Sequence, residues 1–143
     1  MIVGDFLDHG RPFVKCLVIV PSVGPRRGQP QVSSEVLFLV DTGSDATVLS
    51  QRDCETRLGL LLTGLPAGPR SMGVGGVTDM RQLRAILEVT HDDGTLSVFS
   101  HDLLVAEAPF STSILSRDVM SFGELVMNFP AGVLTLDLPA VAA

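Results

Sequence analysis

The stretch Phe38-Leu39-Val40-Asp41-Thr42-Gly43-Ser44 runs from an apolar segment straight onto a carboxylate. Residues 36–40 are continuously apolar, the pattern of a strand covered on both faces. A strand that delivers an Asp at its end is an odd design, because a buried carboxylate costs free energy unless it is paired. Gly43 permits a tight turn behind Asp41, and the hydroxyls of Thr42 and Ser44 are expected to hold its oxygens. An ordinary strand-ending turn also uses Asp and Gly. The apolar run before Asp41, and Asp45-Ala46-Thr47-Val48-Leu49 after it, favour a functional carboxylate over that plain turn.

Around this segment the chain reads as short strands punctuated by Gly, Pro, Asp and Ser. Residues 4–8 and 12–20 flank His9-Gly10, a hairpin turn. Residues 83–90 and 95–104 flank His91-Asp92-Asp93-Gly94, whose Asp-Gly pair is a strong hairpin signal. Residues 124–129 and 133–138 flank Pro130-Ala131-Gly132 and form a last hairpin. Residues 21–34, rich in Pro, Gly, Arg and Gln, read as an exposed loop. Helix is scarce: residues 52–58, stopped by Gly59, and residues 117–122, stopped by Gly123, each allow about two turns. No internal repeat or low-complexity tract interrupts the pattern. The expectation is an all-β, mostly antiparallel single domain over residues 1–143 with one or two short helices.

Composition supports a packed domain. The chain has 143 residues, 45% of them apolar, and a mean hydropathy of +0.40, which argues against disorder. With no Trp or Tyr, the core must be built from Val, Leu, Ile and Phe. A net charge of −6, with the basic residues scattered, gives no basic face for nucleic acid. Apolar runs such as residues 17–20 are too short to span a bilayer. Met1-Ile2-Val3-Gly4-Asp5 lacks the charged lead and apolar core of a secretion signal. Cys16 and Cys54 match no metal spacing and read as reduced thiols. The expected setting is therefore cytoplasmic, with no membrane and no nucleic-acid partner, and the start at Met1 favours a complete small protein.

Two further segments bear on chemistry. Met72-Gly73-Val74-Gly75-Gly76-Val77, continuing to Arg81-Gln82, carries glycines that let a hairpin tip take backbone angles closed to other residues and lie close against a ligand. A dinucleotide fingerprint fails here, because Thr78 occupies the position of the last glycine. Ile114-Leu115-Ser116-Arg117-Asp118 leads into the second short helix. His9, His91 and His101 do not cluster at ligand spacings and read as surface or turn residues. Ser44 lacks a nucleophile elbow and a nearby His, which excludes a serine hydrolase.

Taken in order, residues 38–49, the glycine-rich segment and residues 114–118 resemble retropepsin-like aspartic peptidases, the retroviral protease type. The resemblance spans about residues 11–136. It implies a closed antiparallel β barrel, a C2 homodimer and an endopeptidase that needs no metal or organic cofactor. It makes Asp41 the catalytic carboxylate, supported by Thr42, Gly43 and Ser44. It makes residues 70–82 a flap over a peptide or protein substrate, with Asp45, Gly73, Val74, Gly75 and Gly76 as flap and substrate-facing residues. It also implies an ion pair between Asp45 and Arg117 that ties the helix to the catalytic loop, while Asp118 reads as a helix cap. Ser116 departs from the family, which usually has Gly there, and its side chain is expected to disturb the packing behind the catalytic turn.

Asp-Thr-Gly occurs once, yet the chemistry needs two carboxylates. One, ionised, takes a proton from water, and the other, protonated, donates to the scissile carbonyl. Two ionised carboxylates about 3 Å apart would repel by about 5 kcal/mol at an effective dielectric of about 20, so the pair keeps one proton. Aspartic peptidases are the standing example of this sharing. The second carboxylate must then come from a second copy, its turn facing the first across a two-fold axis. The hairpin at residues 124–138 is longer than the single terminal strand of retroviral enzymes and is expected to pair within its own chain. The competing reading is a binding or dimerisation module of the same fold with little proteolysis, favoured by Ser116 and the loop at residues 21–34.

Overall fold

A computed structural model describes residues 1–23, 26–73, 76–108 and 112–141. Among the described residues, eleven strands form two sheets. In chain order they are β1 (Ile2–Val3), β2 (Asp5–Leu7), β3 (Arg11–Val20), β4 (Val32–Val40), β5 (Val48–Leu49), β6 (Ala67–Gly73), β7 (Gly76–Thr90), β8 (Leu96–Ala106), β9 (Ile114–Leu115), β10 (Glu124–Asn128) and β11 (Val133–Asp137). The larger sheet runs β2-β3-β4-β9-β5-β8-β7-β6. A further pairing of β3 with β7, through Leu17↔Glu88, Val18↔Leu87 and Ile19↔Ile86, closes it into a barrel. The smaller sheet runs β1-β11-β10, so the terminal hairpin does pair within its own chain.

Period-two alternation builds the core. Val14, Cys16, Val18 and Val20 of β3, Val36, Phe38 and Val40 of β4, and Ala85, Leu87 and Val89 of β7 point inward. Leu134 and Leu136 bring the smaller sheet onto the same core. The reading of residues 36–40 as a strand covered on both faces needs correction. Leu37 is 41% exposed, because the barrel wall is one layer thick here and alternate side chains face outward.

Turn chemistry sets the hairpins. Gly94, at φ +86°, occupies the left-handed region that closes the β7–β8 turn. The β3–β4 loop is shorter than expected, because β4 already begins at Val32, paired with Val20. The first expected helix forms at about the expected length and the second as little more than one turn. Gln51 and Arg52 lead into a π-helical turn, Asp53–Arg57, which ends at Gly59. The second, α1, spans Arg117–Met120. A 3₁₀ turn, Leu62–Gly64, was not signalled by the sequence. The sheet is also not purely antiparallel: β4 pairs β9 in parallel, and so does β5 with β8. Among the described residues no helix is long and apolar enough to cross a membrane.

Gly123 joins α1 to the smaller sheet at a backbone contact. A Cβ there would lie 1.8 Å from the carbonyl oxygen of Asp137 and 2.8 Å from its carbon. Gly123→Ala should therefore cost about 1–3 kcal/mol through overpacking. Gly64→Ala, where a Cβ meets nothing within 4 Å, should change stability by much less. Urea unfolding of both variants checks the contrast.

Candidate active site

Asp41 follows the last residue of β4 and is fixed by its backbone. Its N–H donates to the Leu115 carbonyl of β9 at 3.0 Å, and two residues earlier Leu39 N–H donates to Ser113 O at 2.8 Å. β9 thus lies against the end of β4 and sets where the turn begins. The Asp41 carboxylate is half-buried, and its Oδ1 accepts a hydrogen bond from Gly43 N–H at 3.0 Å. The expectation for the hydroxyls is corrected here. Ser44 Oγ instead donates to Ala46 O at 3.3 Å, and Thr42 is exposed. A backbone amide two residues on reaches the carboxylate with little loss of side-chain freedom, so it takes the role assigned to the hydroxyls.

Behind the turn, the Arg117 guanidinium pairs with Asp45 as the resemblance implied. Arg117 N–H also donates to Ser44 O at 3.1 Å, which brings α1 against the turn. The ion pair is open to water and adds at most about 1 kcal/mol. Its value is geometric.

A polar cluster lies deeper. Thr47 is buried; its N–H donates to Asp118 Oδ2 at 2.9 Å and its hydroxyl to Asp118 Oδ1 at 2.6 Å. Ser116 N–H donates to Thr47 Oγ1 at 3.1 Å. Asp118 is therefore not the helix cap: its carboxylate turns away from α1 onto Thr47, where two donors sit at bidentate spacing. His101 Nε2 lies 2.6 Å from Asp118 Oδ2, so His101 is a half-buried strand residue rather than a surface one. Burial works to raise the Asp118 carboxyl, but the hydrogen bonds from His101 and Thr47 outweigh it and hold it below the usual carboxylate value. The hydrogen bond to Asp118 raises His101 against the opposing effect of burial, helped by the charges of Asp118 and Asp102. His91 sits in its expected turn but is buried, 2.7 Å from Ser97 Oγ.

Ser116, expected to disturb the packing, is absorbed by it. The side chain is fully buried, and its hydroxyl donates to Ala46 O at 2.8 Å. A second buried relay runs alongside: Ser50 N–H donates to Ser113 Oγ, Ser113 Oγ to Asp53 Oδ2, and Asp53 N–H to Ser50 Oγ. The sequence carried no spacing signal for Thr47, His101, Ser50 or Ser113.

The glycine-rich segment is a hairpin of β6 and β7, with Met72↔Val77 and Gly73↔Gly76 in register. Val74 and Gly75, the expected tip, lie outside the described residues. Val77 is 60% exposed. A cavity of about 420 Å³, lined by Val23, Arg26, Leu65, Gln82 and Arg84 among others, contains no residue of the Asp41 turn. Pocket volume is the default guide to a site, but here the cavity and the Asp41 turn lie apart.

Against solved structures, the chain superposes on a retropepsin-like aspartic protease from Rickettsia conorii with a TM-score of 0.59. The two share 18% identity over 98% of this chain and 92% of that one. The fold is retropepsin-like. The EIAV protease in complex with an inhibitor is also similar, at TM-score 0.49 and 20% identity, over 79% of this chain and 88% of that one. No family model matches the chain, and no curated protein matches it by sequence.

Thr47 is the member of the cluster whose loss is easiest to read. Thr47→Val keeps the shape but leaves Ser116 N–H buried without its acceptor, and should cost about 1–3 kcal/mol. Thr47→Ser retains the oxygen and should lose much less. Equilibrium unfolding of the two variants at one pH separates them.

Proposed function

We propose that this chain is one half of an aspartic endopeptidase, with Asp41 paired to Asp41 of a second copy. The observation that carries the reading is the placement of Asp41 within a retropepsin-like fold. It sits half-exposed at a strand end, its backbone N–H on β9 and its carboxylate on Gly43 N–H. Two such turns facing each other across a two-fold axis bring the carboxylates together. The pair holds one proton, and its titration belongs to both residues jointly. The ionised member takes a proton from water, the water attacks the peptide carbonyl, and the protonated member donates to the carbonyl oxygen. The Thr42 side chains brace the two turns across the axis. The β6–β7 hairpin of each copy serves as a flap, with Gly73, Val74, Gly75 and Gly76 over an extended peptide and Asp45 at its side. A reducing, cytoplasmic setting suits the two buried free thiols.

The smaller sheet offers the second copy a place. Among the described residues, β10 has β11 on one side and a free edge on the other. Val126 and Met127 on it are exposed, as is Phe122 just before it. A bare apolar edge is a template for pairing with another chain. Antiparallel pairing of β10 with its copy, centred on Val126, sets Glu124 against Asn128 and Leu125 against Met127, with no like charges opposed. The competing reading of an inactive module leans on Ser116 and the loop at residues 21–34; the hydrogen bond from Ser116 to Ala46 favours the peptidase, because the side chain is accommodated behind the turn.

Asp41→Asn should abolish hydrolysis of a proteome-derived peptide library, measured from acidic to neutral pH, while leaving fold and dimer intact. Cleavage that survives in the purified variant sinks the assignment. Val126→Lys should place two ammonium groups together on the axis and raise the dimer dissociation constant at least tenfold. Sedimentation equilibrium measures it, and an unchanged constant would move the interface elsewhere.

A further inference from the structure

The Asp118 carboxylate joins three elements. From α1 it accepts two hydrogen bonds from Thr47, six residues beyond Asp41, and lies 2.6 Å from His101 Nε2 on β8. Thr47 Oγ1 in turn accepts from Ser116 N–H. The backbone that follows the catalytic turn is thus anchored to one carboxylate, and that carboxylate is anchored to one imidazole. Side-chain exposures of 25% for His101 and 20% for Asp118 leave the pair only partly screened by water, so the charge on the ring affects how firmly the carboxylate is held.

We infer that His101, acting through Asp118 and Thr47, is a positioning residue for the Asp41 turn whose grip is strongest when its imidazole is protonated. The inference rests on the peptidase reading for its link to catalysis, but not for its structural content. His101 touches neither substrate nor Asp41 in this assignment. Its role is to hold the segment that holds the catalytic carboxylate.

The charges around the ring favour the cation. Asp118 faces it from α1, and Asp102 acts on it from its own strand. Across the barrel wall β7 places Ala85 opposite His101. The β7 cation next to Ala85, Arg84, is spent on Asp102 at 3.1 Å. From the catalytic segment Thr47 brings no charge, and Asp45 is occupied by Arg117.

The sign of the pH dependence follows. The folded His101 value is raised, so its contribution is complete below the ordinary histidine value of 6.5 and is lost as pH rises through the raised value. The folded Asp118 value is lowered, so its contribution is complete above the ordinary 3.8 and is lost as pH falls through the lowered value. Between those limits both are present, in the acidic range where a carboxylate dyad keeps its shared proton. Above it, the neutral ring can still donate from Nε2, so the grip weakens without vanishing.

The test has two arms. In Asp41→Asn protein, which needs no activity, NMR titration of the His101 ring should give a midpoint above 6.5, and Asp118→Asn should return it towards 6.5. The unfolding midpoint of the same protein should fall as pH rises from 5.5 to 8. His101→Gln, which keeps a donor near the Nε2 position but cannot titrate, should flatten that slope. In the active enzyme His101→Leu should lower kcat at pH 5.5 at least tenfold with KM within twofold. His101→Gln should recover most of the kcat while losing the His101 component of the kcat–pH profile. A ring midpoint indifferent to Asp118→Asn, or a wild-type profile in His101→Gln, overturns the inference. Absence of any hydrolysis by the wild type overturns the peptidase reading instead, and leaves the first arm to decide the role of His101.

Discussion

The two residues of β9 are the wedge on which the site depends. Ile114 and Leu115 run parallel to the end of β4, and Ile114 also pairs antiparallel with Val48 of β5. The chain leaving β4 therefore cannot fold straight back beside itself. It must pass around the inserted strand, and Asp41 to Ala46 is the segment that does so. The same insertion supplies Leu115 O to Asp41 N–H and Ser113 O to Leu39 N–H. Placement of the carboxylate is thus a consequence of how β9 pairs.

A segment forced around a wedge leaves backbone groups that β pairing does not reach, and buried unpaired groups are costly. The protein meets this with a dense polar layer. Ser116 Oγ satisfies Ala46 O, Asp118 satisfies Thr47 N–H, Thr47 Oγ1 satisfies Ser116 N–H, and Ser113 with Asp53 and Ser50 satisfies the start of the helical turn. Such a layer is stiff only when every member is present. The surface pair Asp45–Arg117 is weak by comparison, since water competes for both partners. Rigidity at Asp41 comes from below the turn rather than from its rim.

Legibility in the sequence divides along the same line. Hairpins announced by His9-Gly10, Asp93-Gly94 and Ala131-Gly132 were readable, because turn chemistry is local and the glycine φ values demand it. The strand end at Asp41 stood out because a carboxylate after an apolar run is rare. β5 and β9 were not readable, since two residues have no periodicity to detect and their pairings, two parallel and one antiparallel, join distant stretches of chain. Thr47, His101 and Asp118 meet only after the barrel closes, and nothing in their spacing marks them. The alternation of residues 36–40 was masked because Leu37 and Leu39 are apolar though they face outward.

That outward-facing apolar surface belongs to a wider pattern. Asp41 and the free edge of β10 are joined by a short path through β9, α1 and Gly123, whose backbone contact with Asp137 fixes the smaller sheet to the helix. In the proposed dimer, a two-fold axis through β10 is therefore tied to the Asp41 turn. From β10 the contacts run through Gly123 and α1 to Ser116 and Asp118, and so to Thr47. In that proposed pair, the interactions that define each turn thereby bear on the distance between the two turns. In a reaction shared by two carboxylates, an error of about 1 Å in that distance is the kind of misplacement that costs large factors in rate. The stiffness beneath the turn and the exposed edge beside it are two parts of one positioning problem.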